Sequence, residues 1–127
     1  MVDALERIHA ALDDDGVVVD TQPVSARPPV VGSNGRRLGT LDMRDWAKTI
    51  AAIDARIVET IDRGLFSVVA DEHVVVADAY DDLRELVEEA AQWAGTRVPR
   101  ALAQSADATS GAVELRQDVR VRVLTRE

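Results

Sequence analysis

The sequence contains no cysteine and only four aromatic residues, two Trp, one Tyr and one Phe. Without cysteine there are no disulfides, thiolate nucleophiles or cysteine-ligated metal centres. No apolar run approaches the roughly 20 residues of a membrane-spanning helix. The N-terminus lacks the basic and then apolar pattern of a secretory signal. We therefore expect a soluble, cytoplasmic protein.

Positive charge is also scarce. The chain carries 23 acidic and 15 basic residues, a net charge of −8, and Lys48 is its only lysine. A surface of this sign repels phosphate backbones and anionic lipid, so neither a nucleic-acid nor a membrane partner is expected. The predominance of arginine fits either a coding bias or bidentate anion binding.

The apolar residues, 46% of the chain, are mostly Val and Ala, which is enough for one domain covering residues 1–127. The pattern predicts an α/β (α+β) fold. We expect a mixed sheet of about six strands with two hairpins, packed by one long helix and two or three shorter ones. The long helix is predicted from Asp42 to about Arg63, because apolar residues recur there every three or four positions.

Five of the predicted strands come from three segments, one single strand and two hairpins. Val17–Val19 is three consecutive β-branched residues, typical of a parallel strand buried on both faces. Asn34-Gly35 predicts a type I′ hairpin over residues 30–39, with Val31 opposite Leu38. A second hairpin is predicted over residues 66–77, turning on Asp71-Glu72.

The last segment, residues 113–124, fits a single strand with alternating sides. Its valines and Leu115 share one side, and Arg116, Arg120 and Arg122 lie on the other. Two interpretations of this arginine stripe stay open. It could contact an anion or an acidic partner, or it could protect a sheet edge or pair internally with carboxylates.

A ligand site is predicted at the carboxyl end of the first strand, where open α/β sheets place their ligands. Asp20 and Gln22 follow that strand. Arg44 and Trp46 open the long helix that is expected to stand beside it.

No catalytic set emerges from the sequence. His9 and His73 are its only histidines, and no serine has an identifiable base partner. Asp71-Glu72-His73 lacks the spacing of metal ligands. We therefore predict no catalytic residues, no metal and no cofactor.

Residues 5–22 resemble the late helix-and-strand segment of class I S-adenosylmethionine-dependent methyltransferases. Leu12, Gly16 and Val17–Val19 match that pattern, and Asp14 and Asp15 stand where the family has Pro-Gly. The family's cofactor loop lies upstream of this segment. The resemblance therefore implies a C-terminal half without the cofactor site, as in small uncharacterised bacterial proteins of similar organisation.

These observations favour a non-catalytic binding or assembly module on a truncated methyltransferase-like sheet. The alternative is a small-molecule-binding protein or enzyme using the site beside Asp20. We expect a homodimer, because the long helix carries a broad apolar stripe that includes Ile53 and Ile57. The arginine stripe could meet Glu85 and Glu88 of a second copy.

Overall fold

The structure, a computed structural model, describes residues 2–127. It is an α+β fold of four helices and five strands. In chain order the elements are α1 (Val2–Ala11), β1 (Val17–Pro23), β2 (Pro29–Gly32), β3 (Arg37–Thr40), α2 (Arg44–Asp62), β4 (Phe66–Tyr80), α3 (Leu83–Ala90), α4 (Arg100–Ser105) and β5 (Val113–Arg126). Among residues 2–127, no helix combines the length and apolarity needed to cross a membrane.

Strand β5 organises an open sheet. It pairs antiparallel with β1 from Val119 to Thr125 and with β2 from Val113 to Leu115. Strand β3 pairs with β2, and β4 also pairs with β5. The expected parallel pairing of the first strand is therefore wrong. Because Val17 and Val19 of β1 are exposed, its expected burial on both faces is wrong as well.

The first predicted hairpin is confirmed, but its register differs. Val31 pairs with Arg37 rather than Leu38, after an irregularity between Val30 and Val31. Within the described residues only glycines have positive φ, so Asn34 cannot take the type I′ conformation. Instead, Gly35 alone has positive φ (79°), and its N–H donates to the carbonyl of Gly32 at 2.9 Å.

The second predicted hairpin is wrong. Residues Phe66–Tyr80 form one strand of 15 residues that continues through Asp71 and Glu72 without turning. Two short strands are thereby replaced by one long strand, which brings the expected six strands to five. Aspartate and glutamate interrupt the valine runs, but neither glycine nor proline stands there to enforce a turn.

The chain divides into two compact units. The first comprises the N-terminal residues up to Pro23, Thr49–Val74 and Val119–Glu127, and the second comprises Val24–Lys48 and Val75–Asp118. In the first unit the core is formed by Ile57, Phe66 and Leu124, with Leu5, Leu12, Val18, Ile53, Ile61 and Leu65 packed against it. In the second unit the core is formed by Val30, Leu41, Met43, Leu83, Leu86, Ala90, Leu102, Val113 and Leu115.

The buried face of β5 switches from odd-numbered to even-numbered residues along the strand. Val113, Leu115 and Val119 are buried, as the alternating pattern predicts, but further along Arg122 and Leu124 are buried instead. Val121 and Val123, expected on the core side, are only half-buried. The single strand is thus confirmed, whereas the prediction that its valines share one core side fails at the C-terminal end, where Arg122 and Leu124 are buried.

Candidate functional site

Four of the predicted site residues meet in the first unit, because β1 and β5 are paired there. The antiparallel register places Asp20 opposite Arg122 and Gln22 opposite Arg120. Directly opposed residues in such a pair project on the same face of the sheet. The predicted ligand residues of β1 and two arginines of the predicted stripe therefore form one cluster.

Arg122 is the most buried charged group of this cluster, with only 2% of its side chain exposed. Its Nε and Nη2 donate to Oδ2 of Asp20 at 3.1 and 2.9 Å. Nη2 also lies 2.5 Å from Oδ1 of Asp54 on α2. Gln22 completes the arrangement, since its amide donates to both carboxylate oxygens of Asp20, at 2.9 and 3.2 Å. A buried guanidinium is tolerated here because carboxylates on two elements neutralise it.

Arg120 makes the second half of the network. Its Nε and Nη2 donate to the two carboxylate oxygens of Asp71 on β4, at 2.9 and 2.7 Å. Its Nη1 donates to Oδ1 of Asp54 at 3.4 Å. This bidentate hydrogen bonding holds the pKa of Asp71 below its usual value and raises the pKa of Arg120. Asp54 thus bridges the two arginines.

The cluster contains two guanidinium groups and three carboxylates, each paired with at least one group of opposite charge. An incoming anion would have to displace a carboxylate already held at hydrogen-bond distance. The hydrogen bonds from Arg120 lower the pKa of Asp71, which makes this carboxylate a poor proton donor at neutral pH. Across residues 2–127 no group of histidine and acidic side chains is arranged to hold a metal ion. The geometry therefore matches the internal-pairing interpretation of the arginine stripe.

Arg44 belongs to the second unit, at the start of α2. Its Nε and Nη2 donate to the carboxylate of Asp42 at 2.9 and 2.7 Å, and its backbone N–H donates to the same group. These hydrogen bonds hold the pKa of Asp42 far below its usual range. Asp42 also bridges to Arg97 through backbone hydrogen bonds in both directions. Together with Asp45 and Lys48, these residues line a charged cleft of about 360 Å³.

Trp46 borders a different, apolar cleft of the second unit. Its backbone N–H donates to the carbonyl of Gly95 at 3.2 Å. Gly95 has a φ of 65°, and an added Cβ would lie 2.9 Å from the Trp46 nitrogen. This close approach brings the segment after α3 against the start of α2. The cleft, about 470 Å³, is lined by Met43, Trp46, Gln92, Trp93, Ala94 and Thr96.

Arg116 belongs to the second unit, whereas Arg120 and Arg122 belong to the first. It pairs with Glu114 on the same strand, at 3.3 Å. It also borders two small clefts of the second unit, of about 370 and 320 Å³.

No protein-family model matches this chain, and no curated protein matches it. Of the predicted residues, Asp20, Gln22, Arg120 and Arg122 come together, whereas Arg44, Trp46 and Arg116 belong to the other unit.

Strand β4 is the feature that sequence reasoning missed. All 12 residues from Val68 to Ala79 are exposed. Five of them are valines that present large apolar surface: Val68, Val69, Val74, Val75 and Val76. Within the described part of the chain, β5 is the strand that pairs with β4, which leaves the second edge of β4 without a strand partner. The signal was present in the sequence, since valine runs on both sides of a short polar centre also fit one long strand.

Proposed function

We propose that the chain is a non-catalytic assembly module that pairs with a second copy of itself through the free edge of β4. The observation that carries the proposal is the exposure of 12 consecutive residues on this strand, five of them valine. A long, apolar strand edge offers a row of backbone donors and acceptors for pairing with another chain. Burial of its valines would stabilise the complex.

The other sheet edges are less suited to this role. Strand β3 has only four residues, and β1 has seven and ends at Pro23, which has no N–H to donate. Short strands and proline are the usual means by which proteins protect an edge from unwanted pairing. Strand β4 has 15 residues with neither proline nor glycine.

A second copy is the occupant that fits best, because the strand is chemically self-complementary. Valines flank a polar centre on both sides, so an antiparallel copy would meet valine with valine. The stripe of α2 that we predicted as the interface supports the dimer less well. Ile57 is buried with Phe66 and Leu124 in the core of the first unit, and Ile53 packs against them.

The alternative, a ligand or enzyme site beside Asp20, has weaker support. Gln22 donates to the carboxylate of Asp20, and the same carboxylate accepts from Arg122, so Asp20 is already engaged within the chain. The resemblance of residues 5–22 to methyltransferases stays a prediction, and the assembly proposal does not depend on it.

The test measures mass by light scattering at tens of micromolar protein. We expect a species of twice the chain mass of 13.8 kDa. Val75→Lys should shift it to the monomer, because Val75 is 67% exposed and a lysine there would place charge in the interface. Val19→Lys is the matched control, a valine of similar exposure (60%) on β1, and it should leave the dimer intact.

Circular dichroism should show that both variants keep the wild-type fold. A wild-type protein of 13.8 kDa at every concentration would refute the proposal. So would a dimer that Val19→Lys dissociates and Val75→Lys leaves unchanged.

A further inference from the structure

The centre of β4 is nearly symmetric in chemical character. Residues 68–76 read Val-Val-Ala-Asp-Glu-His-Val-Val-Val. Three apolar residues precede the polar trio Asp71-Glu72-His73, and three follow it. All nine are exposed, so this symmetry is displayed on the surface of the strand.

Two-fold symmetry restricts how two copies of such a strand can pair. An axis perpendicular to the sheet leaves each side chain on its own face, and opposed side chains in an antiparallel pair must share a face. The axis must therefore lie midway between one residue and the same residue of the second copy, so that this residue is directly opposite itself. An axis placed between two successive residues of the strand would oppose side chains of different faces. Only a few such registers bring the exposed valines together.

We infer that the two copies pair with Glu72 opposite Glu72 on the axis, an assignment that rests on the proposed function. This register places Asp71 opposite His73 of the second copy. The remaining exposed residues then meet apolar with apolar: Val68 with Val76, Val69 with Val75, and Ala70 with Val74.

The neighbouring registers are chemically worse. An axis at His73 sets Glu72 against Val74 and Asp71 against Val75. An axis at Asp71 sets Glu72 against Ala70 and His73 against Val69. Each mismatch places a charged or polar side chain opposite an apolar one and forgoes a valine pair. The axis at Glu72 has no such mismatch between residues 68 and 76.

The preferred register extends the ion-pair network of the first unit. Asp71 already accepts two hydrogen bonds from Arg120. In the dimer His73 of the second copy would lie directly opposite Asp71, on the same face. Asp71 would then connect the arginine cluster to the interface.

The axis itself carries the one unfavourable contact, a pair of like charges. Two Glu72 carboxylates directly opposite each other oppose association. Glu72 therefore weakens the dimer. Charged residues on edge strands commonly oppose strand pairing between chains in this way. Glu72→Gln should lower the dimer Kd about two- to fivefold, the range for one cross-strand pair.

Single cysteines test the register directly, because the chain has no cysteine of its own. In the inferred register the two Cα atoms of residue 72 lie about 5 Å apart, within reach of a disulfide. The two Cα atoms of residue 73 would be about 8 Å apart, beyond that reach. Under mild oxidation, Glu72→Cys should form a covalent dimer and His73→Cys should not.

Adding Val75→Lys to Glu72→Cys should abolish the crosslink, which distinguishes the interface from random collision. If His73→Cys crosslinks and Glu72→Cys does not, the register is wrong although the β4 dimer stands. If light scattering shows a dimer that Val75→Lys dissociates but neither cysteine crosslinks, the register is likewise refuted. A protein that is monomeric at every concentration refutes the proposed function and this inference with it.

Discussion

Removing one partner of the buried Arg122 should be strongly destabilising. In the variant Asp20→Ala, the Nε of Arg122 loses its acceptor while the guanidinium stays buried, with 2% of the side chain exposed. Breaking a buried ion pair usually costs about 3–5 kcal/mol, because an uncompensated charge is left behind. Asp54 still contacts Nη2, so we expect a loss of about 2–4 kcal/mol in the free energy of unfolding.

Urea denaturation at neutral pH measures this loss. Glu6→Ala is the matched control, since it removes an Arg–carboxylate pair of the same unit, between Glu6 and Arg63, in which both side chains are more than 40% exposed. Exposed pairs contribute about 0–1 kcal/mol. The double variant Asp20→Leu/Arg122→Met, which leaves no unpaired buried charge, should recover most of the lost stability. If Asp20→Ala costs no more than Glu6→Ala, Arg122 is not the buried centre of the network.

Two further predictions concern a glycine and a carboxylate. Gly95→Ala should cost about 3 kcal/mol or more, because a Cβ would meet the Trp46 backbone at 2.9 Å in addition to the strain of positive φ. Gly35 also has positive φ, but no atom lies within 4 Å of an added Cβ, so Gly35→Ala should cost only about 1–2 kcal/mol. Equal melting temperatures for the two variants would contradict this difference. Arg120 lowers the folded-state pKa of Asp71, so the stability from this carboxylate is present above its unfolded pKa, near 4, and is lost as pH falls through the lower folded pKa. Asp71→Asn should therefore be less stable than wild type at pH 7 and lose less stability between pH 5 and pH 2 in urea titrations. If the variant and the wild type lose the same free energy of unfolding over this pH range, the pairing of Asp71 with Arg120 is contradicted.

Local pattern alone was sufficient for several elements. The three- and four-residue spacing of apolar positions predicts α2 almost to its ends, because a helix is held by hydrogen bonds within the segment itself. Asn34-Gly35 located the first hairpin, and alternation identified β5 as one strand. Features that depend on pairing between strands were harder to predict. The register of the first hairpin, for example, includes an irregularity between Val30 and Val31 that no local rule indicated.

The candidate site was only partly predictable. Asp20, Gln22, Arg120 and Arg122 were each singled out, but their meeting depends on the pairing of β1 with β5, about 100 residues apart in sequence. Asp54 and Asp71, which neutralise the arginines, carried no local signal. A carboxylate on a helix or strand is indistinguishable from a solvated one until its neighbours are known.

The sequence by itself determined the acidic charge, the absence of cysteine chemistry, the long helix and the position of the first hairpin turn. The tertiary structure decided that β4 continues through Asp71 and Glu72, because pairing with β5 supplies hydrogen-bond partners along one edge of the strand without a turn. It also decided that Arg122 is buried while Val121 and Val123 are only half-buried, since the buried side of β5 changes along the strand. Both outcomes depend on contacts between distant segments, which short-range patterns of apolar residues do not encode.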